Sequence, residues 1–176
     1  MDFKLAVTTC FSKYATFSGR ATRPEYWWFF LFGILGSIAA GILDGVLFGS
    51  ATLETDVTAT QTSFRAASNG PVTTIFSLGI LLPSLSVGWR RMHDTGRSGL
   101  YLFYPLLVMF GIGTFLAIFG NLGAPEAGGL ATPVAFITLL ASAVLALSPL
   151  IVLWWLTRPS QPGSNEFGPN PTEVSS

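Results

Sequence analysis

Charge is missing from four long stretches of this chain, and that limits what it can fold into. No Asp, Glu, Lys or Arg occurs in residues 26–43, 66–89, 98–125 or 127–157. A helix needs about 20 mostly apolar residues to cross the roughly 30 Å hydrocarbon layer of a membrane. Each stretch supplies enough for one crossing, the first reaching Phe48 with Asp44 near the far interface. Apolar residues cover every face of these segments, which suits lipid or the centre of a large soluble core. A chain of 176 residues is too short to bury four such helices within itself. Only 10% of its residues are charged, against about 25% in soluble domains, which argues against a soluble enzyme, a disordered segment or a nucleic-acid binder. The expected fold class is an all-α membrane protein. Four transmembrane helices, at about 27–48, 71–89, 100–120 and 133–156, form two hairpins within a membrane domain spanning 19–158. An amphipathic interfacial helix over 1–18 precedes them, and an irregular cytoplasmic tail over 159–176 follows.

The basic residues set the orientation. Lys4, Lys13, Arg20 and Arg23 precede the first span, Arg90, Arg91 and Arg97 lie between the second and third, and Arg158 follows the fourth. Only Arg65 falls on the other side, with Glu54, Asp56 and Glu126. Basic residues in short loops face the cytoplasm, so both termini and the middle loop are expected inside. Trp27, Trp28, Trp89, Trp154 and Trp155 all fall at the predicted cytoplasmic ends. Amphipathic rings anchor there, and this agreement is independent of the charge count. The first apolar run opens on a Trp pair and has no small-residue cleavage site, so the first span is expected to be retained.

Phe3, Val7, Cys10, Phe11, Tyr14 and Phe17 recur at helical steps, with polar residues between them. Such a helix lies in the interface or packs on the cytoplasmic end of a bundle. Thr22-Arg23-Pro24-Glu25 reads as a capping box that opens the first span, and Thr132-Pro133 as the start of the fourth. Gly33, Ser37, Gly41 and Gly45, continued by Gly49, place small residues every fourth position of the first span. That stripe admits a close helix neighbour, within the chain or from a second copy. Thr138, Ser142 and Ala146 make a lesser stripe in the fourth, and Pro83, Pro105 and Pro149 lie in or near spans. The single Cys10 excludes an intramolecular disulfide, and one His with one Cys is too few for a zinc site; no cofactor is expected.

Two cytoplasmic segments collect the chemistry. One holds Arg20, Arg23 and Glu25; the other holds Arg90, Arg91, His93, Asp94 and Arg97. Arginine forks match phosphate oxygens, and Gly96 and Gly99 permit a turn whose amides add donors, so one reading is an anion or lipid-headgroup site. The plainer reading is that these residues orient the chain and pair with Asp94 and Glu25, as the positive-inside bias alone predicts. His93 beside Asp94 invites an acid–base pair, but no nucleophile is tied to them by a spacing motif. No phosphate loop, HExxH or CxxC occurs.

Residues 17–30, Phe-Ser-Gly-Arg-Ala-Thr-Arg-Pro-Glu-Tyr-Trp-Trp-Phe-Phe, resemble the opening motif of the bacterial domain-of-unknown-function 805 family, the YhaH-like inner-membrane proteins. Residues 91–99 resemble its Arg-x-His-Asp-x-Gly motif, and residues 163–168 its Gly-x-Asn-x-aromatic-Gly signature, here followed by Pro169. The resemblance implies a small multi-span protein of the bacterial cytoplasmic membrane and implies no reaction. It adds Gly96 and Asn165 to Arg20, Glu25, Arg91, His93 and Asp94 as shared site or structural positions. The chain departs from the pattern by a longer outer loop over 49–70 and by Leu100, where the motif often has an aromatic.

The function expected is a non-enzymatic membrane component that binds a lipid headgroup or partner protein, with possible self-association and no nucleic acid. One alternative is a small-solute transporter or channel subunit, resting on the span prolines, a weak two-hairpin repeat and Asp44. Another is a membrane enzyme acting on a lipid phosphate with His93 as base.

Overall fold

The computed structural model describes residues 1–49, 55–58, 61–64, 70–119 and 133–173. Glu54, Arg65, Glu126 and Thr132 lie outside them. Among the described residues five α-helices carry the fold: α1 (Phe3–Ser12), α2 (Arg23–Phe48), α3 (Pro71–Asp94), α4 (Tyr104–Phe119) and α5 (Pro133–Thr157). Among the described residues three helical stretches are long and apolar enough to cross a membrane: α2, α3 and the Leu139–Thr157 part of α5. The helical class holds for the body of the chain. The α2–α3 connection adds two antiparallel strands, β1 (Thr55–Thr58) and β2 (Gln61–Phe64), in a register from Thr55↔Phe64 to Thr58↔Gln61.

The third expected span is not one continuous helix. A 3-10 helix over Gly99–Phe103 leads into α4, which has 16 residues. Pro105 explains the break, because it has no N–H to continue an α-helical ladder from Tyr101. The Tyr104 amide bonds Tyr101 O instead, in the tighter 3-10 pattern. At 1.5 Å per residue the 16 residues described for α4 extend about 24 Å.

The chain divides into two compact units, residues 1–16 with 24–87 and residues 17–23 with 88–176. In the first, Asp2 caps α1 by accepting from the Leu5 amide at 3.1 Å. The helix stops at Ser12, short of the expected 18, where the chain turns away. Ala6 and Cys10 are fully buried, and the rings beside them meet α2 edge-on: Phe3 on Trp28 at 5.8 Å, Phe11 on Phe29 at 5.6 Å. Ser86 Oγ lies 3.0 Å from Lys13 O and 2.7 Å from Thr16 O, one hydroxyl serving two carbonyls of the turn after α1.

Helices α2 and α3 approach through a glycine outside the expected stripe. A Cβ on Gly36 would collide with the Phe76 ring, whereas one on Gly33 would meet Ile80 at an ordinary 3.5 Å and one on Gly41 only Thr73 at 4.0 Å. Ser37 and Gly45 are half-buried. Asp44, 7% exposed, reaches from α2 to the start of α3 and accepts from the Val72 and Thr73 amides at 2.9 and 2.8 Å. Those amides belong to the first turn, where no helical acceptor exists and where the helix dipole favours an anion. The acid in the body of α2 is thus a helix cap.

Each span proline leaves a carbonyl four residues back without its helical donor. Pro83 strands Gly79 O, and the Tyr14 hydroxyl donates to it at 2.7 Å. Pro149 strands Leu145 O, and Ser148 Oγ donates to it at 3.0 Å. With no water available in a bilayer, such side-chain donors are what make proline tolerable there. Ser148 belongs to the second unit, in which α4 packs on α5.

Candidate functional site

All the polar geometry of the candidate site lies in the second unit. It begins where α3 ends. Gly96, at φ 71°, takes the left-handed position just past the helix. Its amide bonds His93 O and the Arg97 amide bonds Met92 O, both at 3.0 Å, closing the last turn. Gly99 lies under the Trp89 indole, where any Cβ would overlap the ring. The two glycines of the second motif therefore stop a helix and seat an aromatic, and these amides are bonded within the turn rather than offered to an anion.

Asp94 follows from that stop. It is fully buried and its carboxylate is bonded three ways. Oδ1 accepts from Arg20 Nε at 3.0 Å, and Oδ2 accepts from Arg91 Nη1 and from Ser160 Oγ, the latter at 2.6 Å. One carboxylate thus sits between two buried guanidiniums, which a low-dielectric site tolerates only when the remaining donors also find acceptors. They do. Arg20 donates to Gln161 O at 2.6 Å and Gly163 O at 2.8 Å. Arg91 donates to Leu156 O at 3.0 Å and to Arg158 O. Arg23 Nη1 lies 3.4 Å from Thr157 O. The carbonyls of residues 156–158 end α5, where helical donors run out and the dipole is negative, so these arginines cap a helix.

His93 is 7% exposed and held on several sides. Nδ1 lies 3.0 Å from Gly19 O, a carbonyl that can only accept, so the proton is on Nδ1. The Phe167 ring stacks on the imidazole at 3.8 Å and 7°, and Trp89 meets it nearly edge-on at 6.2 Å. Asn165 Nδ2 donates to His93 O at 2.9 Å while its Oδ1 accepts from the Phe167 amide at 2.9 Å, which fixes the turn that presents Phe167. The Gln161 amide bonds Asp94 O at 2.9 Å.

Three segments far apart in sequence thus converge: Gly19–Arg20, residues 91–96 and residues 160–168. Of the expected site residues, Arg20, Arg91, His93, Asp94 and Asn165 meet here. Arg90 is 1% exposed, and its carbonyl accepts from the Ala21 amide at 3.0 Å. Glu25 belongs to the first unit and is buried in the first turn of α2. Arg97 stands outside the cluster, half-buried, its guanidinium 5.1 Å over the Trp155 ring. Burial, and next the charge of Arg158, push Arg97 below the usual arginine range. Phe167, Ser160 and Gln161 are absent from the sequence-derived set. Phe167 carried a signal, as the aromatic of the third motif; Ser160 and Gln161 sit in an ordinary polar stretch and carried none.

Residues 14–169 match the family described as protein of unknown function (DUF805), a range that takes in all three converging segments. The chain belongs to this family. It is 34% identical over 111 residues to inner membrane protein YhaH of Escherichia coli, covering 63% of this chain and 78% of that one. It is 29% identical over 118 residues to inner membrane protein YhaI of the same organism, covering 65% and 85%. No solved structure matches the chain. With these DUF805 relatives and its three long apolar helices, the chain is a transmembrane protein of an uncharacterised family.

Proposed function

We propose that this DUF805 protein is a non-enzymatic component of the bacterial cytoplasmic membrane. It crosses four times, counting the 3-10 helix with α4 as one crossing, with both termini and the 89–99 loop inside. There it presents a folded basic face to a lipid headgroup or a partner protein. The observation that carries this reading is the convergence of the three motifs at the ends of α3 and α5, the ends that also bear most of the chain's arginines and tryptophans. A chain needing only orientation signals has no use for an ordered C-terminal segment bonded onto them. Of the two ligands, lipid is favoured, because the basic residues adjoin apolar helices at headgroup depth.

The other readings lose their motive. Asp44, the acid that suggested transport, is held on two helix amides. His93, the candidate base, is covered by Phe167 and bonded to Gly19. The test is the lipid that accompanies the protein through extraction in mild detergent. Enrichment of anionic headgroups over the bulk membrane is expected; a composition equal to the bulk contradicts the lipid reading.

A further inference from the structure

We propose that Arg97 and Arg158, mounted on Trp155 and Trp154, form the seat for the phosphodiester of an anionic phospholipid. This rests on the lipid-headgroup reading above and moves its centre. The buried arginines at 20 and 91 have their donors turned onto Asp94 and backbone carbonyls, so a headgroup would have to break the cluster to reach them. The pair at 97 and 158 is different. Arg97 lies in the loop after α3 and Arg158 directly after α5, the former half-buried and the latter exposed. Each guanidinium lies over an indole, at 5.1 Å for Arg97 on Trp155 and 4.8 Å for Arg158 on Trp154. An indole face attracts the cation without using up its N–H donors.

Neither guanidinium has a carboxylate partner among the described residues. Arg97 Nη1 donates to Thr95 O, two residues away, at 3.1 Å. Burial, and after it the charge of Arg158, disfavour the charge on Arg97, and a bound anion would oppose both. Tyr101 and Tyr104 pack on Trp155 at 5.4 and 6.3 Å and brace the platform from the start of the third apolar segment. A lone phosphate would find the same charges. The lipid is specified by the setting, because Trp154 is more than half exposed on the last turn of an apolar helix, where acyl chains lie beside it.

The experiment is native mass spectrometry of the full chain in detergent with added phosphatidylglycerol or phosphatidylcholine of equal chain length. Wild type is expected to hold phosphatidylglycerol preferentially, and R97Q/R158Q to lose about fivefold of that preference per arginine. The control is K4Q/K13Q, which removes the same charge from exposed positions on and after α1 and should keep the preference; thermal melting confirms that all three proteins are folded. R97K/R158K should recover part of the preference, since charge returns without the planar fork. If wild type prefers phosphatidylglycerol and R97Q/R158Q keeps that preference, or K4Q/K13Q loses it equally, the seat is overturned and the general reading stands. If wild type shows no preference, both fall. If inorganic phosphate displaces the lipid at equal concentration, the site is a phosphate site and the lipid assignment is overturned.

Discussion

Asp94 accepts from two guanidiniums and a hydroxyl with none of its surface exposed. Removing one member of a buried ionic set leaves the others charged and unmatched, at about 3–5 kcal/mol. Asp94→Asn should therefore lower stability by about that amount, read as the shift in a denaturant or thermal transition in detergent. Arg158→Gln, which touches only the exposed side chain, should leave the transition in place. Tyr14 offers a smaller test at the same scale. Its hydroxyl is the donor to the carbonyl that Pro83 strands, so Tyr14→Phe should cost about 1–2 kcal/mol in the same assay. An unchanged transition would show that water or another donor reaches Gly79 O. His93 and Asp94, adjacent in sequence and suggestive of a reactive pair, turn in different directions, one toward Gly19 and Phe167, the other toward the arginines.

Helix ends are where this chain's elements are decided. The start of α3 is capped by Asp44 from α2, its end is closed through Gly96, and the end of α5 is capped by Arg91 and Arg23. Asp44→Ala should cost about 1 kcal/mol through the lost cap, and Asp44→Asn less. Gly96→Ala forces a Cβ into the left-handed region and should also destabilise by about 1 kcal/mol. Hydrogen exchange at the first α3 amides and at residues 96–97 would read each loss locally. The apolar segments were legible in the sequence because lack of charge over 20 residues has few other causes. So were the members of the cluster, since Arg20, Arg91, His93, Asp94 and Asn165 fall in three recognisable motifs. Their partners were not. Periodicity reports which face is apolar, but not that Arg91 would reach a carbonyl some 65 residues later or that Ser160 would complete Asp94. The small-residue stripe pointed to a close approach of α2 yet missed Gly36, because spacing every fourth residue is met by several registers and only the neighbour's Phe76 selects one. The break before α4 was signalled by Pro105, which also suits an unbroken helix when it stands in the first turn.

On the scale of the whole molecule, the C-terminal segment is the least expected part. A stretch rich in Pro, Gly, Ser and Asn read as an irregular tail; it has no helix or strand among its described residues, and it lies over the end of α3 and supplies Ser160, Gln161, Asn165 and Phe167 to the cluster. Its turns need those residue types, so a composition that commonly marks a loose tail here marks a folded one. Phe167→Ala should uncover the imidazole, and modification of His93 by diethyl pyrocarbonate should become several-fold faster while the helices remain intact by circular dichroism. An unchanged rate would mean that Phe167 is not the cover. The account as a whole requires this cluster, with the basic face beside it, on the cytoplasmic side of the membrane. The direct measurement is labelling of single cysteines by a membrane-impermeant maleimide in intact and permeabilised cells, in a Cys10→Ser background. Ser164→Cys should label only after permeabilisation and Ala59→Cys in intact cells. Labelling of Ser164→Cys in intact cells would contradict the account.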